Sequence, residues 1–185
     1  MAVRLSMITP MEATSEWMTP GTSRSDASPS GHLASGGPAA DTRPLGIRRL
    51  LLATDLSSAS ERATDEAIRM AVESDAELLV LSVIDPGRLR LPGGVFLRRL
   101  DQERSRIEAS VQQLVGRARR AGAKATFLVW EGDPAEVILA ASDAEGVDAI
   151  VLGSHGRGLL GRLVLGSTST QVSEQATCRV IVIGA

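Results

Sequence analysis

From Ile47 onward, short apolar runs alternate with longer stretches in which apolar residues recur every three or four positions. Arg49 to Thr54 (RLLLAT) ends at Asp55 and reads as a strand covered on both faces. Ser57, Ser58 and Ser60 offer N-caps for a helix over about Ser58 to Glu73, with Ala63, Ala67, Met70 and Ala71 on its inner face. Glu77 to Ile84 (ELLVLSVI) predicts a second strand. After a connector rich in Gly, Pro and Arg, a long helix is expected over about Val95 to Ala121. Leu97, Leu100, Ile107, Val111, Leu114 and Ala118 form its apolar stripe. Lys124 to Trp130 predicts a third strand. Asp133 caps a helix opened by Pro134, with Val137, Ile138 and Ala141 inward. Asp148 to Leu152 is a fourth strand, Ser167 to Thr177 a fourth helix, and Val180 to Ile183 a last strand.

Strands alternating with helices imply α/β architecture, an open five-stranded parallel sheet with right-handed crossovers and helices on both faces. Periodicity does not reveal strand order. The flavodoxin/Rossmann-like order 3-2-1-4-5 is the expected one, and it places a topological switch point between the first and fourth strands. Asp55 and Gly153 then stand at neighbouring strand ends, where open sheets of this kind bind ligands.

Residues 1–46 break from this pattern. From Thr19 to Pro44 the chain is almost wholly Ser, Thr, Gly, Pro and Ala, with no strand or helix period. Such a stretch buries too little apolar surface to offset its ordering entropy, so a disordered tail at 1–46 ahead of a domain at 47–185 is expected. A start at Met7, Met11 or Met18 is equally compatible.

Composition removes several function classes. Aromatics are 2% of the chain, with no Tyr, leaving few rings to stack on bases. The net charge of −2 supplies no field toward DNA or anionic lipid, so neither nucleic acid nor membrane is an expected partner. Cys178 is the one cysteine, which excludes an intramolecular disulfide and suits a reducing compartment. No apolar run reaches the roughly 18 residues of a membrane span. The opening MAVRLSMITPME is a poor secretory leader, and a cytoplasmic location is expected.

The richest chemistry lies in GSHGRGLLGRLVLGSTS, Gly153 to Ser169, which holds five glycines. Glycine lets backbone amides approach an anion closely, and the start of the last helix at Gly166 presents unsatisfied N–H groups and a favourable dipole. Ser167, Thr168 and Ser169 add hydroxyls in the same turn, and Arg157 and Arg162 stand near enough in sequence to pair with phosphate. Gly156, Gly158 and Gly161 satisfy the dinucleotide spacing, yet the following strand ends at Gly184 with no acidic residue for a ribose. A Walker loop from Gly156 would need Lys and Ser/Thr where Arg162 and Leu163 stand. A phospho-acceptor receiver domain would want an acceptor Asp after the third strand, where only Glu131 and Asp133 are near, and a Lys after the fifth.

The spacing Gly153-x2-Gly156-x9-Gly166-Ser167 resembles the ATP-binding signature of the universal stress protein family. RRLLLATDLSSAS at Arg48 to Ser60 is similar to that family's opening strand and its Asp, ELLVLSVID to its second strand, and EGDPAEVILAASDAEGVDAIVLGSHG to its third-helix region. The resemblance covers about Ile47 to Ala185. It implies that Gly153, Gly156, Gly166 and Ser167 surround phosphates and ribose, with Leu152 leading into them. It implies that Asp55 lies near the phosphates or their Mg²⁺ or Mn²⁺ ion, and that Ala53, Thr54 and Val83 line an adenine pocket. It also implies a homodimer through Arg179 to Gly184, and a bare apolar edge strand calls for such cover.

Plainer readings stand beside these. Asp55 fits a helix cap as well as a phosphate neighbour. His155 has no acid partner to complete a triad and reads as a loop residue, and Cys178 reads as core. The expectation is a nucleotide-binding stress-response or signalling module rather than an enzyme, with ATP and its metal ion as ligand. A slow ATPase or phosphotransferase at the same site is the alternative.

Overall fold

The structure, a computed structural model, describes residues 46–88, 94–154 and 166–184. The expected tail, apart from Gly46, lies outside these residues, as do His155, Gly156, Arg157 and Arg162.

Five parallel strands form one sheet: β1 (Arg49–Ala53), β2 (Glu77–Ile84), β3 (Lys124–Glu131), β4 (Ala149–Gly153) and β5 (Arg179–Ile183), in the order β3-β2-β1-β4-β5. Helices α1 (Glu61–Glu73) and α2 (Gly94–Arg120) cover one face, and α3 (Pro134–Glu145) and α4 (Ser167–Gln175) the other. Two cores result, as the period-2 strand pattern dictates. Leu50, Leu52, Leu78, Val80 and Val151 pack under α1 and α2 with Ala67, Val111 and Ala118. Leu51, Leu81, Ile150 and Leu152 pack under α3 and α4 with Val137, Ala141 and Val172. The inner faces expected for α1 and α3 are buried, and so is the α2 stripe from Ile107 to Ala118, with Leu100 half-buried.

Local signals explain most boundaries. Asp133 accepts from Ala135 N–H (3.0 Å) and Glu136 N–H (3.2 Å), capping α3, while Gly146, left-handed at φ +58°, closes it. The first helix departs from expectation. Ser58–Ser60 is a 3-10 turn, α1 begins at Glu61, and no serine side chain caps either. The hydroxyls have nearer partners: Ser57 Oγ donates to Asp55 (2.6 Å) and Ser60 Oγ to the Ser57 carbonyl (2.8 Å). The last helix stops at Gln175, two residues short of the expected end, and β5 starts at Arg179.

Candidate nucleotide site

Ala53 lies opposite both Leu81 of β2 and Leu152 of β4, so the switch point falls at the end of β1, with Asp55 two residues past that end and Gly153 at the end of the neighbouring β4. Three features meet there.

The first is the start of α4. Gly166 is its N-cap, no side chain among the described residues caps the first turn, and that turn carries no acidic residue. The amides that follow Gly166 therefore suit an anion, reinforced by the helix dipole. Two bonds fix this terminus on β4: Gly166 N–H donates to the Ser154 carbonyl (2.8 Å), and Ser169 Oγ donates to the Gly153 carbonyl (2.9 Å). Ser154 N–H in turn donates to Ile183 of β5 (2.8 Å). Ser169 is buried and tied to the strand, so of the three hydroxyls expected to face a ligand it is structural, while Ser167 is exposed and Thr168 half-buried. A Cβ on Gly166 would meet the Ser154 carbonyl at 3.5 Å, an ordinary contact. Glycine is thus not imposed here by packing of the described residues.

The second is Asp55. Its Oδ1 accepts from Ser57 N–H (3.1 Å) and Ser57 Oγ (2.6 Å), a turn that ends before the helix rather than a cap on α1. The following residue, Leu56, is left-handed at φ +59° and packs against the α1 and α2 core. Its N–H donates to Thr54 Oγ1 (3.0 Å). Thr54 and Ser60, both buried, share a hydroxyl bond of 3.0 Å. Because the Ser60 proton goes to the Ser57 carbonyl, Thr54 is the donor in that pair.

The third is the backbone of Val83. In a parallel ladder one residue gives both its N–H and its C=O to the same neighbouring strand. Leu81 is such a residue toward β1, its carbonyl accepting Thr54 N–H at 2.9 Å. Ile84 is such a residue toward β3, its carbonyl accepting Gly132 N–H at 3.0 Å. Val83 therefore turns a donor and an acceptor toward β1, past the point where β1 has stopped pairing, and has no ladder partner on that side among the described residues.

Ala53 and Val83 are half-buried and join the core under α3 and α4. Leu152 is buried in that core, so its side chain fills the interior and its contribution at the rim is main chain. Glu131 pairs with Arg104 of α2 and Asp133 caps α3, which engages both acids near the receiver-type acceptor position. Burial pushes the Cys178 thiol above its ordinary pKa, and Asp143 and Asp148 push it the same way. Half-buried against the α3 and α4 core, it is packing rather than nucleophile. No group of three His, Cys, Asp or Glu that could hold a metal occurs among the described residues. No helix among them is long and apolar enough to cross a membrane.

Residues 46–184 match the model of the universal stress protein family. The chain belongs to that family. It is 32% identical over 149 residues to the universal stress protein YxiE of Bacillus subtilis, covering 74% of this chain and 99% of that one. Among solved structures, universal stress protein UspA of Lactobacillus plantarum shares the fold with a TM-score of 0.69 at 28% identity, covering 74% of this chain and 97% of the other. A universal stress protein in complex with cAMP aligns with a TM-score of 0.57 at 24% identity, over 75% of this chain and 97% of that one, a likeness of fold.

Sequence reasoning found the strand order of this universal stress protein domain and the neighbouring ends of β1 and β4. It missed that the Thr54 and Ser60 side chains, not only the backbone there, shape the site. The hint was a run of hydroxyl residues beside Asp55, in which Ser57, Ser58 and Ser60 read as caps and Thr54 as pocket backbone.

Proposed function

We propose that this universal stress protein binds an adenine nucleotide across the switch point, with the phosphates at the start of α4 and the base against Val83. The N-terminus of α4, without a capping side chain among the described residues and tied to Gly153 and Ser154 at the end of β4, is the observation that carries the reading. The N–H and C=O of Val83 suit a base edge that sets an acceptor beside a donor, as the ring nitrogen and exocyclic amine of adenine do. Fold relatives carrying cAMP, dAMP and AMP support the ligand class. ATP is the ligand proposed here, with Gly156 and Arg157 completing the phosphate contacts.

A divalent ion fits as a passenger of the triphosphate. Asp55 offers a carboxylate with one oxygen held by Ser57, and Mg²⁺ is commonly bound through one or two carboxylates with phosphate oxygens supplying much of the remainder. The ion would offset repulsion between Asp55 and the phosphates, while this chain's own residues orient the nucleotide and supply amides to its anionic end.

The module is proposed to act by binding, as a cytoplasmic stress-response component, and to pair with a second copy along the outer edge of β5. The half-buried Val180, Ile181, Val182 and Ile183 give that edge its apolar character. Calorimetry with Mg-ATP tests the central reading: saturable binding at micromolar to low millimolar ligand is expected, and none at millimolar ligand overturns it. A single-turnover assay separates binding from hydrolysis, where release of phosphate abolished by Asp55→Asn would favour the enzyme.

A further inference from the structure

The adenine reading needs Val83 to be unpaired, and an extended β1 would pair it. Continuing the observed register, after Thr54 N–H to Leu81 C=O come Val83 N–H to Thr54 C=O and then Leu56 N–H to Val83 C=O. Neither rung is formed among the described residues. The Leu56 N–H lies instead on Thr54 Oγ1 at 3.0 Å. The same hydroxyl donates to Ser60 Oγ, whose proton goes to the Ser57 carbonyl, so one chain of hydroxyl bonds holds both sides of the departure from the sheet. Ser57 N–H, the next amide along, is taken by Asp55 Oδ1. Leu56 adopts φ +59°, a conformation that a leucine seldom takes unsupported, and something must hold it there.

We infer that the Thr54 hydroxyl is a positioning residue for the base: by capturing the Leu56 amide it stops β1 from zipping along β2 and keeps the Val83 donor and acceptor open. Thr54 touches no nucleotide in this scheme through its side chain; it acts through Leu56 and Val83. The inference rests on the nucleotide reading for its purpose, but its physical content concerns the protein alone.

The test compares full-length wild type with Thr54→Val, which keeps the branched shape without the hydroxyl, and Thr54→Ser, which keeps the hydroxyl. Residue-resolved amide exchange is read at Val83 and Leu56 without ligand, and AMP affinity by calorimetry. In wild type and Thr54→Ser, Val83 exchanges quickly. In Thr54→Val, its protection rises about ten-fold or more and AMP binding weakens about ten-fold, the scale of one hydrogen bond. A Val83 amide already protected in wild type overturns the inference, and so does unchanged exchange at Val83 in a folded Thr54→Val protein. Should Thr54→Val fail to fold, Thr54→Ala is read the same way. If wild type does not bind AMP or Mg-ATP at all, the nucleotide reading fails, while the exchange comparison still decides the role of Thr54.

Discussion

Asp148, at the start of β4, accepts the main-chain N–H of Arg48 on its Oδ2 at 2.7 Å, across 100 residues of chain, and the same oxygen accepts Arg49 N–H at 2.9 Å. The carboxylate thus latches the entry of β1 to that of β4 at the end of the sheet opposite the proposed nucleotide site. Partial burial pushes its pKa up. The hydrogen bonds from Arg48 and Arg49, with the charges of Arg48 and Arg179, outweigh that and hold it below the ordinary aspartate range. A lowered folded pKa contributes stability that is present above the unfolded value and lost as pH falls through the folded one. Asp148→Asn is expected to cost about 1 kcal/mol at pH 7. The gap from wild type should close as pH drops below about 4. Urea titrations from pH 7 to 3 check this, and a gap that widens on acidification contradicts it.

Gly132 joins β3 to the Asp133 cap at φ +147°, and a Cβ there would meet Val137 Cγ2 at 2.8 Å. Backbone and packing both reject a side chain. Gly132→Ala should lower stability by about 2–3 kcal/mol. Gly122→Ala, with φ +99° but nothing within 4 Å, should lose less. Chemical denaturation of the pair gives the ordering, and equal losses would place the cost in the backbone alone.

The open turn of α4 predicts effects of opposite sign from one substitution. Gly166→Asp puts a carboxylate where a cap belongs, with φ −63° and ψ 156° already suited to it. Helix capping should stabilise the protein by up to about 1 kcal/mol. The same carboxylate occupies the amides and repels phosphate, so Mg-ATP affinity should fall about ten-fold or more. A melting curve and a calorimetric titration on one sample read both quantities, and undiminished affinity would move the phosphates elsewhere.

Ser154 N–H donates to the Ile183 carbonyl, which fixes the odd-numbered residues of β5 toward β4 and turns the peptide groups of Val180 and Val182 outward. Val182→Pro removes an outward N–H and leaves the internal ladder its bonds. Its melting temperature should change little, while sedimentation should show loss of the self-association proposed for wild type. A variant that associates as wild type does would mean the copies meet on another surface.

How much of this the chain announces depends on how local each signal is. Leu50 to Leu52 and Ala149 to Leu152 are contiguous apolar runs, and such runs declare buried parallel strands without reference to anything distant. Asp133-Pro134 declares a helix start for the same reason. The serines after Asp55 look like caps by type, yet Ser57 and Ser60 bond within their own turn because Leu56 is left-handed, and no propensity assigns that conformation to leucine. The open edge of Val83 is harder still to foresee. It exists because two strands of unequal reach lie side by side, which is a property of register, and register belongs to pairs of strands rather than to either one.

Gly166 returns to the frame on the same carbonyl, that of Ser154, from which the chain set out. The segment 155–165 is therefore spliced between two points that are already joined. Side chains between those two points, outside the glycine of the signature, can therefore be exchanged without breaking the bond that holds β4 against α4, so a change of ligand contact there does not require the scaffold to be rebuilt.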